Sequence, residues 1–262
     1  MTEFDPNAAA AALAEARRSK RVVLPLPAGV APRDEREGAA AQRALAVLLG
    51  ADRPAGFKIG ATTKRMQEYL GIDGPAAGFI LKSGVLSSGA ELQYASLRSP
   101  GVECELAVRL GRDLPPGPCS REQAFAAVGE LMAAIEVVEN RYEDLGTLGT
   151  PALIADQVYH SAAVVGAGAG PDWRTLDLAG LTGQILVNGE ARGEGRGGDL
   201  LGDPLRCLAW LAASPVAAAF GGLFAGQVVL LGSVTPPIWL DGPAEVVVSF
   251  THLPEVRLRM RA

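Results

Sequence analysis

Cysteine is scarce in this sequence: Cys104, Cys119 and Cys207 are the only three in 262 residues. An odd, sparse set with no C-x-x-C spacing argues against a disulfide framework or a cysteine zinc site and reads as reduced thiols in a cytosol. Histidine is scarcer still. His160 and His252 sit in neither an H-E-x-x-H nor a G-x-S-x-G setting, which weakens zinc-protease and serine-hydrolase readings. Basic charge is not in excess. The net charge is −5, so the electrostatic footprint of a nucleic-acid binder is missing. Long apolar runs are missing too. The nearest, "SPVAAAFGGLFAGQVVLLGSV", is broken by glycines, Pro215 and Gln227 and fits a loop and a buried strand better than a membrane span. The opening "MTEFDPNAAAAALAEARRSKR" carries acids early and no long apolar run, unlike a secretory signal. These absences lead to the expectation of a cytoplasmic protein with neither membrane nor nucleic acid as partner.

What is present is globular: 48% of residues are hydrophobic and 20% charged, enough to bury a sizeable core. Asp5 and Pro6 read as the N-cap and first residue of a helix through Arg18. A second helix runs from Glu35 to Leu49 and stops at Gly50. "AGFKIGATT" is a short strand, and "TKRMQEYLGI" a short helix ended by Gly71. From about Gly78 the pattern turns to β: "GFILKSGVL", "GVECELAVRL", "AAIEVVENR", "SAAVVGAG", "GQILVNGEARG", "QVVLLGSVT", "AEVVVSF" and "EVRLRMR" are strand-like, with Asn188-Gly189 marking a hairpin. Two helices interrupt them. One starts at a Ser120/Gln123 capping box and is expected to turn Ala124, Val128 and Leu131 inward. The other starts at Asp203-Pro204 and carries Leu205, Leu208 and Leu211. The expected fold class is α+β: a helical N-terminal part, residues 1–75, then a mixed, mostly antiparallel β domain, residues 76–262. Arg17, Arg18, Lys20 and Arg21 read as a solvated helix end. "VVGAGAGPDW" mimics a dinucleotide loop, but Pro171, Asp172 and Trp173 follow instead of an amphipathic helix, and no βαβ unit surrounds it.

The stretch "SPGVECELAVRL" raises a chemical question. Val102, Cys104, Leu106, Val108 and Leu110 alternate as the apolar face of a strand, so Glu103 and Glu105 share the other face, where like charges repel. One reading is a solvated outer face. The other rests on Glu136, which also sits between aliphatic neighbours, Ile135 and Val137. Three carboxylates on two apolar strands would make a hard-oxygen cluster suited to Mg²⁺ or Mn²⁺. Lys58 in "GFKIG" is either an exposed lysine or a partly buried one poised for acid–base work.

"GFKIGATTKRMQEYLGI", "SPGVECELAVRLGRDLP", "AAIEVVENR", "LIADQVYHSAAVVG", "GDPLRCLAWLA" and "GQVVLLGSVTPP", in that order, resemble the 2-oxopent-4-enoate hydratase and 4-oxalocrotonate decarboxylase group of the fumarylacetoacetate hydrolase superfamily. The resemblance runs from about Ala8 to the C-terminus. It implies that Glu103, Glu105 and Glu136 bind a divalent metal, Mg²⁺ or Mn²⁺, and that Lys58 and Asp156 are catalytic. It also implies that Gln157, Tyr159, His160, Ser233 and Thr235 meet a small-molecule 2-oxo acid, and that the enzyme is a homo-oligomer. His160 otherwise reads as a satisfied structural histidine. The implied activity is a lyase of aromatic-compound catabolism: a hydratase adding water to a 2-hydroxydienoate through a metal-stabilised enolate. The alternatives are 4-oxalocrotonate-type decarboxylation, C–C bond hydrolysis, or a non-catalytic subunit of a hydratase–decarboxylase complex. The chain departs from the group's A-D-N-A-S at Ala155-Asp156-Gln157-Val158-Tyr159, and has Lys82 and Ser83 where acidic residues often follow a G-x-L-L segment. Read as a strand, Gln157 and Tyr159 share a face. Ser233 and Thr235 resemble the loop of members acting on longer, dicarboxylic 2-oxo acids. Together these point to a substrate other than the five-carbon dienoate.

Overall fold

The computed structural model describes residues 3–19 and 25–262; Lys20 and Arg21 of the basic run lie outside them. Helix α1 (Pro6–Ser19) starts where the Asp5 carboxylate accepts from the Asn7 amide at 2.9 Å, and its Ala9, Ala10 and Leu13 are buried. They pack on α2 (Glu35–Leu48), which Asp34 caps by accepting from the Glu37 amide. Strand β1 (Gly56–Gly60) follows, then α3 (Lys64–Leu70), which Gly71 closes at a φ of +63°. Strands β2 (Ala76–Ile80), β3 (Val85–Ser87), β4 (Ala90–Gln93) and β5 (Pro100–Leu110) lead to α4 (Arg121–Ala127), β6 (Val128–Glu139), α5 (Gly149–Ala155) and β7 (His160–Val165). Strands β8 (Thr182–Val187) and β9 (Glu190–Arg196) turn at Asn188-Gly189, with φ of +53° and +81° as a tight hairpin requires. Helices α6 (Pro204–Ala213) and α7 (Pro215–Ala219), then β10 (Val228–Ser233), β11 (Ile238–Trp239), β12 (Ala244–Phe250) and β13 (Val256–Arg261), complete the chain.

Two sheets result. The larger has the order β2-β1-β10-β5-β6-β7-β3, with β11 also on β5, and the smaller β4-β13-β12-β8-β9. Among the described residues only the pairs β1–β10, β3–β7 and β4–β13 are parallel, so the fold is α+β with mixed, mostly antiparallel sheets. One face of β5, Val102 through Leu110 at alternate positions, joins the main core. The other continues from Glu103 and Glu105 to Ala107, which joins Met132, Ala134, Ala163 and Leu230 in a smaller apolar cluster. The acids thus share a face with greasy neighbours, not with water. Among the described residues no helix is long and apolar enough to cross a membrane.

Four sequence expectations change. Helix α4 ends at Ala127, and Val128 and Leu131 belong to β6, because pairing with β5 from Leu110 to Pro100 outweighs the helix pattern there. Strand β4 and helices α5 and α7 went unread, each only 4 to 7 residues long. A division at residue 75 does not separate the sheet, because β1 lies between β2 and β10. Residues 157–159 are not strand but a turn with φ of +57°, +50° and +49°.

Candidate functional site

Pairing of β5 with β6 sets Glu103 directly opposite Glu136, and Glu105 follows two residues along the same face. One ligand oxygen from each lies within 4.8 Å of the others. They are 5%, 1% and 0% exposed, so the solvated-face reading of this pair does not hold. Burial, then the Glu136 charge, pushes the Glu103 carboxyl up to about 8, against a weaker pull from Lys58. Burial, then Glu136 and Glu103, holds Glu105 well above the usual carboxylate range. Glu136 differs. Burial pushes it up, but Lys58 Nζ at 3.0 Å and His160 Nδ1 at 2.8 Å, both on Oε1, outweigh burial and bring it below its ordinary value. The other oxygen, Oε2, is buried without a hydrogen-bond partner among the described residues. Three hard oxygen donors, mutual repulsion and an orphaned carboxylate oxygen fit a divalent cation of the Mg²⁺ or Mn²⁺ class.

Glu105 is aimed by a bulge. The register of β10 against β5 shifts between Leu230 and Ser233, which frees the Gly232 amide to donate to Glu105 Oε2 at 2.8 Å. Gly232 has a φ of +122°, and a Cβ there would sit 2.3 Å from Thr62 Oγ1, so only glycine fits. A glycine inside an otherwise continuous strand was the available signal for this bulge.

Lys58 is 1% exposed, with its ammonium between Glu136 and the Tyr159 ring, 5.2 Å from the ring centroid. Gly60 sits alongside: a Cβ there would come within 3.3 Å of Nζ. Lys58, Glu103, Glu105, Tyr159, Met66 and Ser233 border a cavity of about 10 Å³, room for roughly one water or one ion. Met66 and Ser233 also border an outer groove of about 340 Å³ holding Lys64, Arg65, Thr235, Glu194 and Asp199. Burial, then Glu103, pushes the Tyr159 phenol well above its usual value, so it stays neutral. Burial likewise lowers His160, against the Glu136 carboxylate, which favours a neutral ring donating from Nδ1.

Two expected site residues lie elsewhere. Both oxygens of Asp156 are taken, Oδ1 by Arg17 Nε at 2.8 Å and Oδ2 by Arg141 Nη2 at 2.9 Å, and Asp156 is not among the residues bordering the cavity beside Lys58. Gln157 accepts from Arg17 and donates to the Phe79 carbonyl at 2.6 Å, so it is spent on the scaffold. The same contacts correct Arg17, whose half-buried guanidinium is engaged by Asp156 rather than solvated; Arg18, paired with Glu15, is the exposed one. Ser233 and Thr235 hold each other, with Ser233 Oγ donating to the Thr235 carbonyl at 2.7 Å.

Metal-free protein is expected to lose thermal stability as the pH rises from about 6.5 to about 8. In that window the unfolded chain has already ionised at the Glu103 position, while the folded protein still holds the proton and releases it only near 8. Stability present at low pH is therefore lost as pH climbs. Below 6.5 His160, depressed by burial, works the other way, which is why the window starts there. Added Mg²⁺ or Mn²⁺ should raise the melting temperature more at pH 8 than at pH 6.5, since the ion replaces protons. Melts with and without chelator measure this, and a metal-free Tm that climbs across the window contradicts it.

Comparison with known proteins follows the same lines. Residues 62–261 match the family model described as fumarylacetoacetate (FAA) hydrolase C-terminal; Lys58 lies just ahead of the matched segment. The chain is 32% identical over 262 residues to a 2-keto-4-pentenoate hydratase of Burkholderia vietnamiensis, covering 93% of this chain and 96% of the relative. It is 32% identical over 209 residues to a 4-oxalocrotonate decarboxylase of a Pseudomonas species, covering 78% of each. The fold is similar to that of 4-oxalocrotonate decarboxylase from Pseudomonas putida G7 complexed with magnesium and adipate, with a TM-score of 0.85, 22% identity and 97% of both chains covered. Helices first, mixed sheets after, and a match across most of the chain lead to one assignment: this protein belongs to the fumarylacetoacetate hydrolase family.

Proposed function

We propose that the protein is a divalent-metal-dependent hydratase of 2-hydroxydienoic acids, with the buried Glu103–Glu105–Glu136 cluster beside Lys58 as the observation that carries the reading. Glu103, Glu105 and Glu136 would hold the ion. Bound there, Mg²⁺ or Mn²⁺ supplies Lewis-acid stabilisation of negative charge on a 2-oxo oxygen. The chain's own residues supply the rest. Lys58, which borders the cavity, holds a proton at Nζ and passes it to or from the conjugated chain. Glu136 fixes Nζ by its ion pair, and His160 fixes Glu136. Tyr159 walls the cavity over Lys58 and keeps water from its ammonium. Ser233 stands at the junction of cavity and groove, and Thr235 lines the groove. Decarboxylation of a 2-oxo acid is the second reading, favoured by the 4-oxalocrotonate decarboxylase relative. We also infer a cytoplasmic homo-oligomer, from unpaired cysteines and the family resemblance.

A panel of 2-hydroxydienoic and 2-oxo acids with Mg²⁺, followed by ultraviolet loss of the dienol and by release of CO₂, separates the readings. Dienol loss without CO₂ is expected; turnover of none of them would leave the non-catalytic subunit. Within the panel, the ratio kcat/KM should favour longer, dicarboxylic dienoates over the five-carbon acid by about tenfold to a hundredfold, the range one mismatched buried polar contact spans. Tyr159 fills inner space with a ring, while Lys64 and Arg65 border the outer groove where a second carboxylate would lie. A preference for the five-carbon acid refutes the length assignment.

A further inference from the structure

The turn that enters the site is held in a costly shape from outside it. Gln157, Val158 and Tyr159 all have φ near +50°, and none is glycine. Left-handed backbone is unfavourable for side chains, most of all for a β-branched one such as Val158, and it persists only where the surroundings impose it. The surroundings are visible. Gly78 of β2 admits the turn, since a Cβ there would sit 2.5 Å from the Gln157 carbonyl oxygen. Gln157 Nε2 donates to the Phe79 carbonyl. Arg141 takes one oxygen of Asp156 through Nε and Nη2, at 3.1 and 2.9 Å. Among the described residues only Arg17 donates side-chain hydrogen bonds to both Asp156 and Gln157: Nε donates to Asp156 Oδ1 at 2.8 Å, Nη2 to the Asp156 carbonyl at 3.0 Å, and Nη1 to Gln157 Oε1. It spans the point where the chain turns left-handed. Tyr159, the last residue of the turn, lies over Lys58, and His160, directly after it, stands on Glu136.

We propose that Arg17 is a positioning residue: from α1 it clamps Asp156 and Gln157, and the left-handed turn so held delivers Tyr159 to Lys58 and His160 to Glu136. The inference rests on the proposed role of the carboxylate cluster. It gives the first helix a task in the site although its sequence position is 139 residues from Asp156. Guanidinium geometry is needed, because three acceptors in different directions are reached by a planar fork and not by a single ammonium.

The test compares Arg17→Ala and Arg17→Lys with Arg18→Ala, an exposed neighbour on the same helix, as control. Three readouts are taken well below each Tm: amide hydrogen exchange over residues 154–162 without metal, Mn²⁺ affinity from the signal of free Mn²⁺, and kcat and KM at saturating Mn²⁺. For Arg17→Ala we expect faster exchange confined to that segment, Mn²⁺ bound about tenfold more weakly and kcat reduced by about tenfold to a hundredfold, the range typical of groups that orient metal ligands. Arg17→Lys should show the same pattern to a smaller extent, and Arg18→Ala none of it. A lower Tm with wild-type exchange, affinity and kcat would make Arg17 a plain structural anchor and overturn the proposal. If Arg17→Ala does not fold, Arg17→Lys decides by the same readouts. Should the wild-type protein itself bind no Mn²⁺, the functional reading fails, while hydrogen exchange still decides whether Arg17 holds the turn.

Discussion

Lys58→Met is expected to lower kcat by about 10²–10⁴-fold, the usual worth of a positioned acid–base group, while Mn²⁺ affinity stays within about tenfold of wild type. Methionine fills the same fully buried slot with an unbranched chain and no charge. Two effects on the ion oppose each other. Removing a cation 3.0 Å from Glu136 takes away a competitor for the cluster's negative charge, which favours metal. It also frees Glu136 from one of two donors on Oε1, which loosens a ligand, although His160 remains on that oxygen. Neither effect supplies the missing proton. Chemistry is therefore lost while the ion is kept, and the pair of measurements separates an acid–base role from a structural one. Turnover near wild type would remove Lys58 from the reaction. Loss of Mn²⁺ binding together with turnover would make it a scaffold for the carboxylates.

The shared face of Glu103 and Glu105 was legible because a strand has a period of two, whereas the residues left Lys58 open between an exposed and a partly buried lysine and only the family resemblance singled it out. Residues at alternate positions of "GVECELAVRL" must part company, and apolar flanks around Glu136 say that its face is not open water. Helix ends were legible where a local side chain does the capping: Asp34, Ser120 and Asp203 each accept from an amide two or three residues on. What was not legible depends on partners far along the chain. Asp156, which the resemblance implies is catalytic, has both its oxygens consumed by Arg17 of α1 and by Arg141 from the loop after β6. Gln157 and Tyr159 looked like alternate strand residues because no glycine announces the left-handed turn; tertiary contacts impose it against local preference. The end of α4 failed for a related reason. Val128 and Leu131 fit a helical stripe, yet they also fit a strand, and only the long partner β5 decides between them.

Glu105→Gln should move the metal-free and metal-bound proteins in opposite directions. Glutamine preserves the size of the side chain, and its oxygen still accepts from the Gly232 amide. What disappears is one of three buried carboxylates that share a space of 4.8 Å. Without an ion, wild-type Glu105 is destabilising at neutral and alkaline pH: burial resists its charge, and Glu136 and Glu103 repel it. The metal-free variant should therefore melt higher than metal-free wild type at pH 8, with the gap shrinking toward pH 6.5 as the acids take up protons. With an ion the balance reverses. A hard divalent cation loses an anionic oxygen and gains only a neutral one, so affinity should fall by at least about a hundredfold, beyond the usual effect of removing a group that merely orients a ligand. The rise in Tm on adding Mn²⁺ shrinks with it, because stabilisation by a ligand follows its concentration relative to Kd. The measurements are four melts, each protein with chelator and with excess Mn²⁺, and a titration of free Mn²⁺. A variant that is less stable without metal would show that Glu105 is held by favourable contacts and is not a strained acid. One that binds Mn²⁺ as tightly as wild type would remove Glu105 from the ligand set and leave Glu103 and Glu136 to hold the ion with water.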